Sequence, residues 1–339
     1  MNGQRMVVAA MLVVGMVAVG AKGGNWYADV AQDGSGDYTT IQAAIDAFNA
    51  ETTYADVMYI TILDSATYTE NLSIKDGGHT GSPDWDWEEH EIKCAEGQHA
   101  TIDGSGGAYT FAYPSKFAKL TLSDLTIIGG TDGVGEAKNR GFNVTRSIIK
   151  HTGTGIPAIG PSMSFTKTTF IGDGTGSALY ASGAIDGWDS YGVSFTDCTF
   201  VNEAKAIDVD SNRWVKKGGS ISVDNCLFAD SDTGLELDAV PDYSATWYPQ
   251  GTGSVSDSNF DNCTNTAVNN NSTAWTLSET GSTTEDAGLN YSDVTDLTYN
   301  LRETLGYGDD ANWSYVPEPA TMSLLALGAV GVLLRRKRR

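Results

Sequence analysis

The chain has 339 residues, with 43 acidic and 21 basic side chains, a net charge of −22 and four cysteines. A surface that acidic repels nucleic acid and anionic lipid, so neither is expected as a partner, and it repels polyuronates unless a cation mediates. The cysteine spacing offers no zinc site.

The first element is an address. Residues 1–5 are a short basic start, 6–19 an apolar run, and Val19, Gly20 and Ala21 offer small residues for cleavage. That is the pattern of a secretory signal peptide over 1–21, so the product is expected outside the cytoplasm. Next comes the segment 30–48, Val-Ala-Gln-Asp-Gly-Ser-Gly-Asp-Tyr-Thr-Thr-Ile-Gln-Ala-Ala-Ile-Asp-Ala-Phe. Within it Ile41, Ala44, Ile45 and Phe48 fall at helical spacing, and Thr39 or Thr40 can serve as N-cap. The expectation is a short amphipathic helix that caps a stacked structure whose bare edge would invite aggregation. Asp33 to Asp37 reads as a tight turn before that helix, although its residue types also suit a calcium loop. In the segment 66–74, Ala-Thr-Tyr-Thr-Glu-Asn-Leu-Ser-Ile, Tyr68 and Glu70 read as structural.

The central part repeats a six-residue phrase at 122–127, 144–149, 165–170, 195–200, 223–228 and 255–260, whose last residues lie 22, 21, 30, 28 and 32 positions apart. Both ends of the phrase are apolar. A continuous strand would put its first and sixth side chains on opposite faces, so the phrase must bend. The corner is expected at the third residue, occupied by Asp124, Arg146, Lys167, Asp197, Asn225 and Asp257, types that favour turns or tolerate solvent. A period of 20–30 residues signals a solenoid, whose units bury a core only when stacked. Stacking predicts three inner columns. The sixth residues form one, Ile127, Ile149, Phe170, Phe200, Phe228 and Phe260. The fourth residues, Leu125, Ser147, Thr168, Cys198, Cys226 and Ser258, form a crowded corner. A third column follows with Val134, Ile156, Leu179, Ile207, Leu235 and Val268. Cys198 and Cys226 would stand within disulfide reach on adjacent coils, but they point inward, where free thiols pack as small apolar groups. Stacked thiols are favoured over a bond. Cys94 and Cys263 have no assignable partner.

Three short strands per coil around one core resemble the right-handed parallel β-helix of the pectin lyase-like superfamily. The segment 30–48 resembles the opening of pectinesterases and related β-helix proteins, and 66–74 resembles their following Gly-x-Tyr-x-Glu segment with Ala66 in place of the glycine. The resemblance implies an all-β fold, a single right-handed parallel β-helix with a short N-terminal capping helix; handedness comes from the resemblance alone. The β-helix is expected over 22–271, with 272–316 as a partial last coil or polar stalk.

Alternation along the third strand of the longer coils turns Asp208 and Asp210 outward, then Glu236 and Asp238, with Asn269 and Asn271 near the same columns. Adjacent coils would gather four carboxylates and two amides on one patch, with neighbours about 5–7 Å apart. Like charges that close bind a cation or hold some of their protons. All-oxygen ligands suit Ca²⁺, making Asp208, Asp210, Glu236 and Asp238 the metal candidates. Pectate lyases of the resembled fold work with Ca²⁺ and acidic ligands on the equivalent face. A solvated acidic face is the alternative. The loops after this strand carry Trp188, Tyr191, Arg213, Trp214, Lys216, Lys217, Tyr243, Trp247 and Tyr248. Aromatic faces stack on sugar rings and cations pair with uronates, so these are the carbohydrate-binding candidates; packing of the loops onto the coil is the other use of the same residues.

The chain closes with Pro317, Glu318 and Pro319, an apolar stretch over 320–334 and five basic residues at 335–339. Fifteen residues rise only about 22 Å as a helix, short for a full span, and the basic cluster would stay cytoplasmic. This order resembles the PEP-CTERM sorting signal over 317–339. The resemblance implies passage through the inner membrane, processing by an exosortase-type enzyme, and delivery to a cell surface or matrix rich in extracellular polysaccharide. Residues 1–21 and 320–339 hold six basic and no acidic residues, so without them the net charge of −22 deepens to −28.

Two function classes follow. One is an exported β-helix protein that binds polysaccharide without turnover. The other is a polysaccharide-active enzyme, foremost a Ca²⁺-assisted lyase whose catalytic candidates are Asp208, Asp210, Glu236 and Asp238, with Arg213 or a nearby lysine removing a proton. A pectinesterase is disfavoured, because neither the Asp-Phe-Ile-Phe-Gly segment of that family nor the Gln-bearing segment before it is present, and no Gly-x-Ser-x-Gly elbow or His-Glu-x-x-His helix occurs. These absences favour the binding protein.

Overall fold

The computed structural model describes residues 24–50, 55–74, 89–112, 119–135, 141–157, 162–182, 192–210, 219–238, 251–261, 263, 266–270 and 275–285. Among these the strands form parallel sheets of ten, nine, five and three strands, and one helix, Ile41–Ala50. Successive turns of chain contribute one strand to each face in sequence order, which is a parallel β-helix.

The recurring phrase spans the junction between the ten-stranded and nine-stranded sheets, and its third residue makes the corner. Asp124, Arg146, Lys167, Asp197, Asn225 and Asp257 all take left-handed backbone conformations, with φ between 47° and 61°. A residue there turns the strand so that both apolar ends face one interior. Asn and Asp tolerate that region better than most residues, while Arg146 and Lys167 adopt it under the constraint of the stack. Arg146 is held by a bidentate pair with Asp124 of the preceding coil, at 2.6 Å in both arms, and Asn225 Nδ2 donates to Asp197 Oδ1 at 2.6 Å.

The columns run in register. Ile127, Ile149, Phe170, Phe200, Phe228 and Phe260 pair coil to coil, and Tyr68 and Ile102 extend the column toward the N-terminus. Phe170, Phe200, Phe228 and Phe260 stack nearly parallel at centroid distances of 5.2, 4.6 and 4.6 Å. In the crowded corner, Ser147 Oγ donates to Thr145 O, Thr168 Oγ1 to Thr166 O, Cys226 Sγ to Asp224 O and Ser258 Oγ to Ser256 O, two residues back in each case. That carbonyl is turned inward by the corner, so the column takes small side chains that can donate. Cys198 and Cys226 are free thiols in this role, and Cys94 and Cys263 are free as well. Burial pushes the Cys94 and Cys263 thiols up to about 12 and raises that of Cys198 too.

The helix buries Ile41, Ala44, Ile45 and Phe48 against the first coil, where Phe48 meets Trp26 and His90. Thr40 Oγ1 accepts from Ala43 N at 3.2 Å, while Glu70 accepts from Ile41 N and Gln42 N at 3.0 and 2.7 Å. Glu70 thus caps three-dimensionally what Thr40 caps locally, placing a carboxylate on the positive end of the helix dipole. Asp33 to Asp37 is a turn: Asp33 Oδ1 accepts from Ser35 N, and Asp37 Oδ2 accepts from Asp29 N. At the far end the coil continues beyond Asn271, because Trp275–Thr280 and Thr283–Glu285 pair with the preceding coil. Here Glu279 stands opposite Val255, Thr284 opposite Phe260, and Gly281 takes the corner with φ 70°. Polar residue types at these two register positions end the apolar columns, as a terminal unit of a stack requires.

Candidate functional site

The five-stranded sheet carries the predicted third column, Ile156, Leu179, Ile207, Leu235 and Val268, in register. Alternation then gives one outward row across four coils: Tyr180, Asp208, Glu236 and Asn269. Asp210 lies two residues beyond Asp208 on the same strand, opposite Ser182, and Asp238 follows the strand Thr233–Leu237. Lys205, at the start of the strand Lys205–Asp210, reaches the middle of this group. Its Nζ lies 3.1 Å from Glu236 Oε2, 3.3 Å from Asp208 Oδ2 and 3.9 Å from Asp238 Oδ2.

The patch is therefore not a free acidic face. Asp208 is only 7% exposed, and its Oδ1 is buried with no hydrogen-bond partner. Burial raises the Asp208 pKa against the pull of Lys205, and Asp238 and Asp210 add to the rise. Glu236 is raised by burial too, with Lys205 opposing and Asp238 adding. Lys205 is itself raised: burial works against its charge, but Glu236 and Asp208 hold the proton more strongly. Tyr180 is raised by burial and by the Asp210 and Asp208 carboxylates.

The expected Ca²⁺ ligands meet differently from a calcium site. Asp208, Glu236 and Asp238 converge, but on an ammonium; Asp210 is exposed at the edge. Ca²⁺ takes six to eight oxygens at 2.3–2.6 Å, and among the described residues no group of three or more His, Cys, Asp or Glu side chains is disposed to hold a metal ion. With Lys205 among them, these residues are not arranged as a Ca²⁺ cage. Alternation could not reveal Lys205 here, because the chain has not settled into period two at the strand's start, where Ala206 and Ile207 are both buried. Tyr180 was readable as the neighbour of Leu179. The candidates Trp188, Tyr191, Arg213, Trp214, Lys216, Lys217, Tyr243, Trp247 and Tyr248, with Asn271, lie outside the described residues, as do the terminal signals and Pro317, Glu318 and Pro319.

A second polar constellation lies between the nine-stranded and five-stranded sheets. His151 Nε2 and Glu203 Oε1 are 3.0 Å apart with both side chains fully buried, and His151 Nδ1 is 3.0 Å from Gly153 O. The pair reaches across the coil that contains Gly172, where a Cβ would come within 2.6 Å of Glu203 Oε2. Only glycine lets the intervening backbone pass there. Glu203 Oε2 has no partner. Burial raises the Glu203 pKa despite His151, and His151 is raised because Glu203 outweighs the burial that opposes its charge.

Among the described residues no helix is long and apolar enough to cross a membrane. Residues 316–339 match the PEP-CTERM protein-sorting motif, so the tail is a sorting signal of that kind. No curated protein matches the chain. Among solved structures it is similar to a pectin methylesterase from carrot, 14% identical over 77% of this chain and 83% of that one, with a TM-score of 0.42. It is also similar to the pectin methylesterase from Aspergillus niger in deglycosylated form, 15% identical over 85% of this chain and 97% of that one, with a TM-score of 0.40. The penultimately deglycosylated form gives 15% identity, 86% and 97% coverage and a TM-score of 0.41.

Proposed function

We propose that this is an exported, surface-sorted β-helix protein that binds extracellular polysaccharide along the five-stranded sheet without turning it over. The sorting motif at 316–339 supports export, exosortase processing and surface delivery. The observation that carries the binding reading is the row Tyr180, Asp208, Glu236 and Asn269. An aromatic ring, two carboxylates and an amide repeat along the solenoid axis at the inter-strand spacing of about 4.8 Å, comparable to the length of one sugar unit. Carboxylates accept paired hydroxyl protons, and an aromatic face packs on the apolar face of a pyranose. The lyase alternative needs a metal, rather than Lys205, among Asp208, Glu236 and Asp238.

The test is affinity electrophoresis of the full-length protein through a panel of extracellular polysaccharides, with the chain length of each polymer measured before and after. Retardation by at least one polymer, weakened by Glu236→Gln and with chain length unchanged, is the expected result. Shortening of the polymer or release of unsaturated uronides would remove the claim of no turnover.

A further inference from the structure

The row already holds an ammonium, and it does so incompletely. Three carboxylates, Asp208, Glu236 and Asp238, meet one lysine, and Asp210 stands at the edge of the group, leaving a local surplus of negative charge. Lys205 is about one-third exposed and reaches the cluster from the rim, while the side chains of Asp208 and Glu236 are 10% and 12% exposed. Its Nζ approaches Asp208 through Oδ2, leaving the buried Oδ1 with no donor at all. Burying a carboxylate oxygen without a donor is unfavourable, so the cluster has room for more donors than its own lysine supplies.

We infer that this cluster recognises the ammonium of an amino-sugar polymer, and that Lys205 stands in for that ammonium in the free protein. The inference rests on the polysaccharide-binding reading and names its ligand class. A 2-amino sugar carries an ammonium flanked by hydroxyls. The ammonium takes the place of Lys205 Nζ between Asp208 Oδ2 and Glu236 Oε2, and the withdrawal of Lys205 opens the buried Asp208 Oδ1 to a neighbouring hydroxyl, which donates to it. A simple amine supplies only the first of these. A uronate brings a carboxylate into a surplus of carboxylates and is repelled, while an N-acetylated sugar has lost the charge that the cluster attracts. Tyr180, next in the row, offers its ring to the adjoining sugar.

The experiment is isothermal titration of the full-length protein with a glucosamine oligosaccharide, its N-acetylated counterpart and an oligogalacturonate. The glucosamine oligomer is expected to bind at least about tenfold more tightly than either of the others, the difference one charge-assisted contact makes. Lys205→Met, which removes the internal competitor, should tighten it further. Equal or tighter binding of the N-acetylated or galacturonate oligomer overturns the ammonium inference and leaves polysaccharide binding standing. Weaker glucosamine binding by a folded Lys205→Met protein overturns the stand-in role. If that variant does not fold, Glu236→Gln decides: its preference should fall to within about twofold, and an unchanged preference overturns the inference. Failure to bind any of the three and any polymer of the panel takes both readings down.

Discussion

His151 and Glu203 stand 52 positions apart in the chain and share one fully buried ion pair. Both hold their protons more tightly in the fold than their ordinary values of 6.5 and 4.5 allow. Raised values mean that the folded state binds more protons than the unfolded state, so stability falls as pH rises. The Glu203 contribution is complete below 4.5 and lost as pH rises through its raised value; the His151 contribution is complete below 6.5 and lost as pH rises beyond it. Melting temperature should therefore decline as pH rises above 4.5, and His151→Gln should flatten the part of that decline above 6.5. A wild-type profile level across the range would show that the pair does not carry its proton as described. Neither residue was legible as a pair in the sequence. His151 is two positions past Ile149 and Glu203 three past Phe200, and the offset arises because Asn202 adds a left-handed turn.

Elements were far more legible, because a strand of a solenoid repeats the same environment in every coil. The sixth-residue column shows it: aromatic or branched apolar side chains recur because each one packs on its equivalents above and below. Among the described residues Phe200 lies between Phe170 and Phe228, whereas Phe260 has one aromatic neighbour in the column and pairs in backbone register with Thr284. Phe200→Ala should cost about 3–5 kcal/mol in equilibrium denaturation, and Phe260→Ala measurably less, because its cavity opens toward a polar terminal coil. Equal losses at the two positions would argue against the stacked column as the unit of stability. The corner residues follow the same logic. Their polar character in the sequence marked the bend, and their common left-handed φ is the geometry that the bend demands. The last coil was less legible, since Glu279 and Thr284 break the apolar pattern while the backbone ladder persists. Hydrogen bonds between strands need no particular side chain.

For the whole molecule, a net charge of −22 on an elongated stack acts against the folded state through self-repulsion. Raising ionic strength from about 0.02 M to 0.3 M should raise the melting temperature by several degrees, and a fall would show that ion pairs such as Arg146 with Asp124 outweigh that repulsion. By itself the sequence determined the winding of the chain, the corners, the inner columns, the capping helix and the sorting tail. Each of these is written in spacing along the chain, and a stacked coil converts spacing directly into position. Only the tertiary structure decided what the outward row is. It placed Lys205 among Asp208, Glu236 and Asp238, left Asp208 Oδ1 without a donor, and joined His151 to Glu203 across an intervening glycine. Those contacts form where strands begin and turns bulge, so alternation gives no side-chain direction and the outcome is set by which charges the neighbouring coils leave within reach.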